Sequence, residues 1–493
     1  METSIIYNWS QFTAEFTLVG LASIILMADC FLKKMPKSYY ALLGAAGAIV
    51  AACFMHNDGY HNQFSVIAAV ATGLTLLLAY DYRKVTCEAV SGTDSEEGSS
   101  ELYALPLIAC AGICALTQAK DIIMLFVSLE VVTLSSYVLA GYFRRNQGSI
   151  EAGVKYLILG AMSTGLLVFG AAWYYGTTGT FELSAQVVQL MFFVAEPAMS
   201  VGFFLGLGLL LCGALFKAGS APMHIWIPDV YQGAPTPVSA FLAVASKAAG
   251  FAVLCLLILP FTAVLTAQSD IATVDYVQSC TLTIVQCLAV LTGITLLIGN
   301  LGAIGQTNAK RLLGYSSIGQ AGFIMVFLVN MTDTESQLHI ANYLTAYMLA
   351  TMAAFYAIAM VRTQRGSEEI SAFRALGKTN PTTAFLITVA FASLAGVPLT
   401  YGFIAKFESF CAIIAAMQSW GMLLWLTPLL VIMILCATAG FYYYFKVIRE
   451  MYWEKPQPTD APLQVPVVTA GVLAGCAILL VVLGTWPLLT GNL

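Results

Sequence analysis

Four ionisable side chains stand inside long apolar runs of this chain, where they could carry protons. They are Glu130, Lys217, Lys247 and Lys406. A charge placed in hydrocarbon costs at least about 2.5–3.5 kcal/mol on insertion scales, so such residues persist when they are paired or line a wet, polar path. Burial disfavours the charged form of a lysine, whereas a neighbouring glutamate favours it. A buried Lys–Glu pair that can be separated is therefore a proton switch.

The positions of Glu130 and Lys247 put both near the middle of a membrane. Glu130 lies nine residues after Asp121 and fourteen before Arg144, which corresponds to about 14 Å and about 21 Å of helix. Lys247 lies ten residues beyond Pro237, a residue suited to the first turn of a helix, and is therefore about 15 Å deep. From depth alone, a static ion pair that fixes helix packing is the alternative to a proton switch.

Lys217 is followed at once by residues that should break its helix. The uncharged run before it, residues 197–216, is already one membrane's length, so Lys217 could be a helix-end lysine whose ammonium reaches the surface. Gly219 and Pro222 follow, and they should free carbonyls and amides at membrane depth. Such backbone is tolerated only where protein or a water-filled cavity satisfies it, which favours a functional site. His224 lies in the same segment and is a further candidate.

A similar break occurs in the second half of the chain. Gly396 and Pro398 interrupt the twelfth apolar run, and Lys406 follows. The two breaks lie in helices 7 and 12, five helices apart, so the two units have opposite orientations in the membrane. Matched broken helices are the best sequence indication of an ion site in inverted-repeat folds. Chance placement of Gly and Pro is the alternative, and the lysine beside each break disfavours it.

The composition is that of a membrane protein. Of the 493 residues, 10% are charged and 59% are hydrophobic, and the mean hydropathy is +0.83. Soluble domains carry about 25% charged residues, so we predict an all-α polytopic membrane protein. Apolar runs of about 20 residues, enough to span a bilayer, predict fourteen helices that begin near positions 13, 39, 63, 103, 121, 153, 199, 236, 278, 312, 340, 382, 421 and 465.

These helices predict four parts of the chain. Residues 1–102 hold three helices and a disordered cytoplasmic loop at 91–101, and residues 451–493 hold helix 14. Between them, residues 103–270 form the first inverted repeat (helices 4–8) and residues 271–450 the second (helices 9–13). Residues 181–195 are apolar enough for a short interfacial helix.

The positive charges predict the orientation. Of 21 lysines and arginines, only Lys120, Lys217, Lys247 and Lys406 lie away from the odd-numbered loops. By the positive-inside rule, the odd loops face the cytoplasm and both termini face outside, which is the periplasm if the host is a bacterial inner membrane. The short loops favour that membrane.

Several classes of chemistry are disfavoured. The net charge of −5 and the lack of long basic runs argue against a nucleic-acid partner. The twelve cysteines include no C-x-x-C pair, and neither a dinucleotide-binding nor a phosphate-binding loop is present. We therefore expect this chain to bind no metal and no redox cofactor.

Three stretches make the chain resemble the antiporter-like subunits of complex I, the proton-pumping NADH:quinone oxidoreductase. They are FVSLEVVTLSSYVLAGYFRRN continuing through EAGVKYLILGAMSTG, then FKAGSAPMHIWIPDVYQGAPTPVSAFLAVASKAAG, and NAKRLLGYSSIGQAGF at residues 308–323. The phrase PDVYQGAPTPVSAF and the chain length are typical of the N type rather than of the L and M types. The resemblance extends over essentially the whole chain.

The resemblance implies a proton-translocating subunit without redox centres. Glu130 and Lys217 would form a modulating pair, Lys247 the central relay and Lys406 the exit residue. The partners would be the lipid bilayer and other membrane-arm subunits, including a neighbouring M subunit and a small K-type subunit. NADH, FMN, iron–sulfur clusters and quinone would be bound by other subunits. Gln320 stands where the family usually has a histidine in helix 10; glutamine can hold water but cannot titrate, so no essential proton step is expected there.

Two other functions stay open at this point. Subunits of multi-subunit cation/proton antiporters share the buried Lys and Glu pattern, but an ion gradient would drive them. The phrase PDVYQGAPTP disfavours that alternative. A packing subunit that has lost transport is the other alternative, and the presence of all four buried charges disfavours it.

Overall fold

The computed structural model describes residues 9–32, 36–55, 61–90, 92, 100–184, 188, 197–266, 271–330, 335–457 and 462–490. These residues are almost entirely helical, and no strand longer than an isolated bridge occurs among them. The fold class predicted from composition is therefore confirmed. The predicted disordered loop at 91–101 and the predicted interfacial helix at 181–195 lie mostly outside the described residues.

The helices with at least eight described residues are named here in chain order. They are α1 (Thr13–Phe31), α2 (Ser38–Phe54), α3 (His61–Asp81), α4 (Arg83–Val90), α5 (Ser100–Thr117), α6 (Ile122–Ala140), α7 (Gln147–Thr178), α8 (Pro197–Ala218), α9 (Trp226–Gly233), α10 (Thr236–Thr266), α11 (Ile271–Ile304), α12 (Ala309–Val329), α13 (Ser336–Arg365), α14 (Pro381–Ala395), α15 (Tyr401–Ser419), α16 (Leu423–Tyr452) and α17 (Val467–Thr490).

Twelve helices of the described ranges are long and apolar enough to cross a membrane. The shorter apolar helices α2 and α14 complete the set, because each of the fourteen predicted runs contains one of these helices. Helices α10, α12 and α13 are almost wholly buried, whereas α1, α7, α16 and α17 expose broad apolar faces. The centre of the protein is therefore built from the helices that carry Lys247 and its neighbours.

Both predicted helix breaks are present. Helix α8 ends at Ala218 and α9 begins at Trp226, and α14 ends at Ala395 and α15 begins at Tyr401. The residue after each first segment is a glycine with left-handed backbone, with φ of +73° after α8 and +87° after α14. Glycine adopts this conformation at low cost, so the sequence ends each helix at a defined residue.

Two short antiparallel bridges recur in the two halves of the chain. One joins Asp121 to Glu182 and the other joins Asn308 to Glu369. In each, the first residue caps a helix, α6 or α12, by accepting a hydrogen bond from the backbone N–H of that helix's third residue. The second residue of each bridge lies three positions after a left-handed glycine, Gly179 or Gly366, that ends the preceding helix. The two bridges thus have the same construction.

The two bridges lie at opposite ends of α10. Beside the second bridge, Lys310 donates a hydrogen bond from Nζ to the carbonyl of Ala234, 2.7 Å away, just before α10 begins. Near the first bridge, Lys120 lines a cavity together with Leu256, far along α10. The segment from Thr236 to Leu256 is about 30 Å long, which is the thickness of the hydrocarbon core. The two bridges are therefore about one membrane thickness apart.

Candidate functional site

Lys217 lies in the last turn of α8 and is only 3% exposed. Its Nζ donates a hydrogen bond to the hydroxyl of Tyr156 at 3.3 Å and lies 5.5 Å from the centroid of that ring. The Tyr156 ring in turn stacks on Trp226, with centroids 4.5 Å apart. Lys217 is therefore held inside the protein and is not a lysine whose ammonium reaches the surface.

Protein side chains satisfy the backbone that the first break frees. The indole Nε1 of Trp226 donates to the carbonyl of Phe216 at 3.1 Å. The backbone N–H of Ala221 donates to the hydroxyl of Thr295 on α11 at 3.0 Å. Non-helical backbone at membrane depth needs such partners. The irregular segment after Lys217 is therefore stabilised by specific hydrogen bonds to neighbouring side chains.

Glu130 and Lys217 are not in direct contact. Glu130 on α6 is partly buried and accepts a hydrogen bond from the hydroxyl of Thr164 at 2.8 Å. Thr164 and Tyr156 lie eight residues, or about 12 Å, apart on α7, and no Glu130 oxygen lies within 4.0 Å of the Lys217 Nζ. Tyr137 of α6 packs edge-on against Tyr156, with centroids 4.9 Å apart. The implied pair thus forms no direct ion pair, and each of its members has a hydroxyl partner on α7.

Lys247 lies in the middle of α10 and is 1% exposed. Its Nζ donates to the carbonyl of Ser317 on α12 and lies 5.0 Å from the centroid of the Tyr347 ring on α13. The hydroxyl of Ser317 is 3.4 Å from the hydroxyl of Tyr231. Among the described residues, no carboxylate lies within 4.0 Å of this ammonium group. Lys247 is therefore surrounded by hydroxyl, aromatic and carbonyl groups.

A glycine lets the end of α8 reach α10 beside Lys247. A Cβ added at Gly250 would lie 2.3 Å from the backbone nitrogen of Ala218 and 2.5 Å from the carbonyl carbon of Lys217. Gly250 follows Lys247 by three residues, which is about one helical turn. The main chain of Lys217 thus packs directly on the helix that carries Lys247. Gly250 was not among the residues predicted from the sequence, where its only signal is a glycine inside a helix near a buried charge.

Lys406 and the second break form one unit. Lys406 is 6% exposed, and its Nζ donates to the carbonyls of Leu394 at 2.8 Å and Ala395 at 2.9 Å. These are the last carbonyls of α14, where a cation is favoured by the helix dipole. A Cβ at Gly396 would lie 2.9 Å from Cδ of Lys406, so the glycine also makes room for the lysine.

Gln320 of α12 lies at the centre of a polar cluster between these helices. Its amide nitrogen donates to the carbonyl of Leu394 at 3.2 Å and to the hydroxyl of Tyr444 at 3.1 Å. Its amide oxygen accepts a hydrogen bond from the hydroxyl of Tyr343 at 2.5 Å. All of these groups are buried. Gln320 thus links the end of α14 to α13 and α16.

A small cavity joins the surroundings of Lys247 to those of Lys406. It is lined by Gln320, Tyr343, Tyr347 and Lys406, among others, and has a volume of about 10 Å³ for the centre of a water molecule. That is about the space of one water. Tyr347 lines this cavity and also faces the ammonium of Lys247. Polar groups therefore extend from the central lysine to the last one.

His224 is not joined to the lysines. It lies in the break between α8 and α9 with a half-buried ring, and its Nδ1 has no hydrogen-bond partner among the described residues. The structure therefore brings together Lys217, Lys247 and Lys406 with their aromatic neighbours, and leaves His224 apart.

An ion cluster that the sequence analysis missed joins α7, α9 and α12. Asp229 accepts hydrogen bonds from Lys155 at 2.8 Å and from Arg311 at 2.6 Å. Burial raises the pKa of Asp229, but the hydrogen bonds from the two cations outweigh it and hold that pKa below its usual value. In the sequence, Lys155 and Arg311 served only to predict the orientation of the helices, because nothing in the sequence pairs them with Asp229.

The family model and the curated relatives that match this chain indicate the same protein family. A family model described as NADH:quinone oxidoreductase/Mrp antiporter, TM, matches residues 119–431. A Bacillus anthracis protein named NADH-quinone oxidoreductase subunit N is 34% identical over 504 residues, which cover 100% of this chain and 96% of the relative. A Brevibacillus brevis protein of the same name is 33% identical over 483 residues, which cover 93% and 89%. The matched region contains Glu130, Lys217, Lys247 and Lys406.

Solved structures show the same architecture. A chain of respiratory complex I from Thermus thermophilus with bound aureothin has a TM-score of 0.74 and 27% identity, covering 96% of this chain and 97% of that one. A chain of the Mrp complex from a Dietzia species has a TM-score of 0.73 and 18% identity, covering 98% and 95%. The second likeness shows the fold alone.

Proposed function

Because the chain belongs to the transmembrane family of NADH:quinone oxidoreductase and Mrp antiporters, we propose that it is a proton-translocating membrane-arm subunit of NADH:quinone oxidoreductase. The observation that carries this proposal is a series of three buried lysines with hydroxyl and aromatic neighbours, on helices that pack against one another. It runs from Tyr156 and Lys217, across the contact at Gly250, to Lys247, and then through the small cavity to Lys406. Such intramembrane charges line proton relays in pumps and transporters.

The proposed mechanism is electrostatic, with Glu130 and Lys217 as the modulating pair. At an effective dielectric of about 20, two unit charges attract by about 4 kcal/mol at 4 Å, and the attraction falls in inverse proportion to distance. Moving one charge against about 150–200 mV costs about 4 kcal/mol. Only close approach of the pair supplies that energy, so an arrangement without a direct Glu130–Lys217 ion pair would be the open state of the switch. When Glu130 and Lys217 come together, the proton on Lys247 would be favoured. When they separate, it would be disfavoured.

The proton would move from Lys247 to Lys406 through the cavity between them. Gln320 would orient water there without titrating, in keeping with its hydrogen bonds to Tyr343 and Tyr444. Lys406 would release the proton outwards. We assign His224 no proton-transfer step in this route. It lies seven residues after Lys217, in the irregular segment between α8 and α9, where it would affect the conformation of that segment.

We also propose the orientation and the internal repeats. The odd-numbered loops would face the cytoplasm of a bacterium and both termini the outer side of its inner membrane. Residues 103–270 and 271–450 would be inverted repeats, flanked by residues 1–102 and 451–493. The two bridges of the same construction, one membrane thickness apart along α10, support this arrangement. Other subunits, including M-type and K-type neighbours, would hold NADH, FMN, iron–sulfur clusters and quinone.

The alternative is a subunit of a multi-subunit cation/proton antiporter. The fold it shares with the Mrp complex favours this possibility. The identity of 33–34% over nearly the whole chain to two proteins named as oxidoreductase subunits favours the redox-driven complex.

Co-purification separates the two functions. The chain would be tagged, extracted in mild detergent, and every accompanying subunit identified. We expect flavin and iron–sulfur subunits to accompany it. If only membrane subunits without redox centres are recovered, the oxidoreductase assignment is wrong and the antiporter assignment replaces it.

A further inference from the structure

A cavity of about 240 Å³ opens where α10 begins, at the end assigned to the cytoplasm. Its walls include two cations, Lys310 and Arg362, together with Glu368 and the hydroxyl of Tyr82. The volume is enough for several water molecules. A cavity with ionisable walls, large enough for water, thus reaches into the protein at this end of α10.

The inner wall of this cavity is a buried ion pair. Lys310 is 2% exposed, and its Nζ lies 3.2 Å from Oε1 of Glu368 and 2.7 Å from the carbonyl of Ala234. The hydroxyl of Thr236, the first residue of α10, donates to the same Glu368 oxygen at 3.4 Å. Glu368 is therefore in contact both with the cavity and with the start of the central helix.

The corresponding bridge in the first half of the chain has no such pair. There, the backbone N–H of the first residue of α6 donates to the carbonyl of Phe181 at 2.9 Å; in the second half, the first residue of α12 donates to the carbonyl of Glu368 at 2.9 Å. By this match Glu368 corresponds to Phe181, and Lys310 corresponds to Ile123. The bridge therefore forms without the ion pair. Buried ion pairs pay a desolvation cost that often cancels their attraction, so stability does not explain this one.

Polar groups continue from this pair towards the central lysine. Thr236 and Lys247 are eleven residues, or about 16 Å, apart on α10. Tyr231 and Ser317 provide polar groups near Lys247: their hydroxyls lie 3.4 Å apart. The backbone carbonyl of Ser317 accepts the hydrogen bond from Lys247. The hydroxyls of Thr236, Tyr231 and Ser317 thus mark a route from the cavity to Lys247.

We propose that Glu368, held by Lys310, is the group that takes up protons from the cytoplasmic water and passes them towards Lys247. This rests on the proposed function. A hydronium ion in the cavity protonates the Glu368 carboxylate, and Lys310 keeps its hydrogen bond to Ala234 when the ion pair is lost. The carboxylic acid then gives its proton, through water along the hydroxyls, to the neutral amine of Lys247. The carboxylate is regenerated and attracts Lys310 again.

The test uses the whole complex in proteoliposomes, with protons per electron measured by a pH-sensitive dye during quinone-dependent NADH oxidation. We expect Glu368→Gln to lower this ratio by the same amount as Lys247→Met. The matched control is Glu369→Gln: Glu369 is the next residue, and only its backbone takes part in the bridge. That variant should pump like the wild type.

Each outcome decides the matter. If Lys247→Met lowers the ratio and Glu368→Gln does not, the uptake role of Glu368 is wrong and the proposed function stands. If neither variant lowers it, the proposed function is wrong as well. An equal loss in Glu369→Gln assigns the effect to a disturbed bridge and overturns the uptake role.

A second variant covers the case in which Glu368→Gln does not assemble. Glu368→Asp keeps a carboxylate but moves it away from Lys310, so we expect pumping with a changed pH dependence. The charged and titratable groups facing this position are Lys310, Arg362 and Tyr82, and all three are unchanged in the variant. A pH profile that matches the wild type would overturn the proposal.

Discussion

Adding one methyl group at Gly250 tests whether the contact between α8 and α10 sets the position of Lys217. Gly250 has no ionisable side chain, and the atoms nearest to a Cβ added there belong to the main chain of Lys217 and Ala218. A change at this position therefore alters geometry without removing any ionisable group. The variant is Gly250→Ala.

The size of the displacement follows from the structure. The new Cβ would lie 2.3 Å from the backbone nitrogen of Ala218, whereas ordinary contacts begin at 3.4 Å. The end of α8 must therefore retreat by at least about 1.1 Å, the difference between these distances, at a cost of about 1–3 kcal/mol for overpacking. The hydrogen bond from Lys217 to Tyr156, at 3.3 Å, is then lost. A misplacement of about 1 Å can slow a positioned reaction about 100-fold.

The assay compares protons pumped per electron in proteoliposomes containing the complete complex. We expect Gly250→Ala to lower this ratio while the complex still assembles and oxidises NADH. The matched control is Gly208→Ala on α8, the helix that Gly250→Ala would displace, where an added Cβ meets nothing within 4 Å. Assembly is checked by co-purification of the other subunits.

If Gly250→Ala and Gly208→Ala pump with the same ratio as the wild type, the contact does not position Lys217 and this part of the reasoning is wrong. Loss of assembly in Gly250→Ala alone would show that the contact is needed for folding. The relay would then be tested with the side-chain variants below.

Two further predictions concern single side chains. Tyr156→Phe removes the hydrogen bond to Lys217 but keeps the ring, a loss of about 1–3 kcal/mol for a buried charged donor, so pumping should slow by about tenfold; Tyr175→Phe, an exposed position on the same helix, should have no effect. Asp229→Asn should lower thermal stability at neutral pH by about 0.2–1 kcal/mol for each lost ion pair. Because the folded-state pKa of Asp229 is lowered, the wild type loses this stabilisation as the pH falls through that pKa, so the two melting curves should converge in acid.

The helices and their breaks could be predicted because each depends on local sequence. Spanning helices follow from the length of apolar runs, and the breaks follow from Gly219 and Gly396, whose left-handed backbone ends each helix. The depth of Lys247 also followed from spacing alone, because α10 begins at Thr236.

Contacts between helices could not be predicted in the same way. The distance between Glu130 and Lys217 depends on the relative positions of α6, α7 and α8, which the sequence does not give. The pair of Lys310 and Glu368 is 58 residues apart in the chain and forms only because a backbone bridge brings two loops together. In the sequence, Lys310 was indistinguishable from a loop charge that sets orientation.

The most direct test of the central claim is the number of protons pumped per electron by the complex carrying Lys247→Met. Methionine keeps most of the side-chain volume, so the packing of α10 between α12 and α13 is preserved, while the titrating group is removed. We predict normal assembly and NADH oxidation with a lower ratio of protons to electrons. A fully assembled Lys247→Met complex with the wild-type ratio would contradict the account.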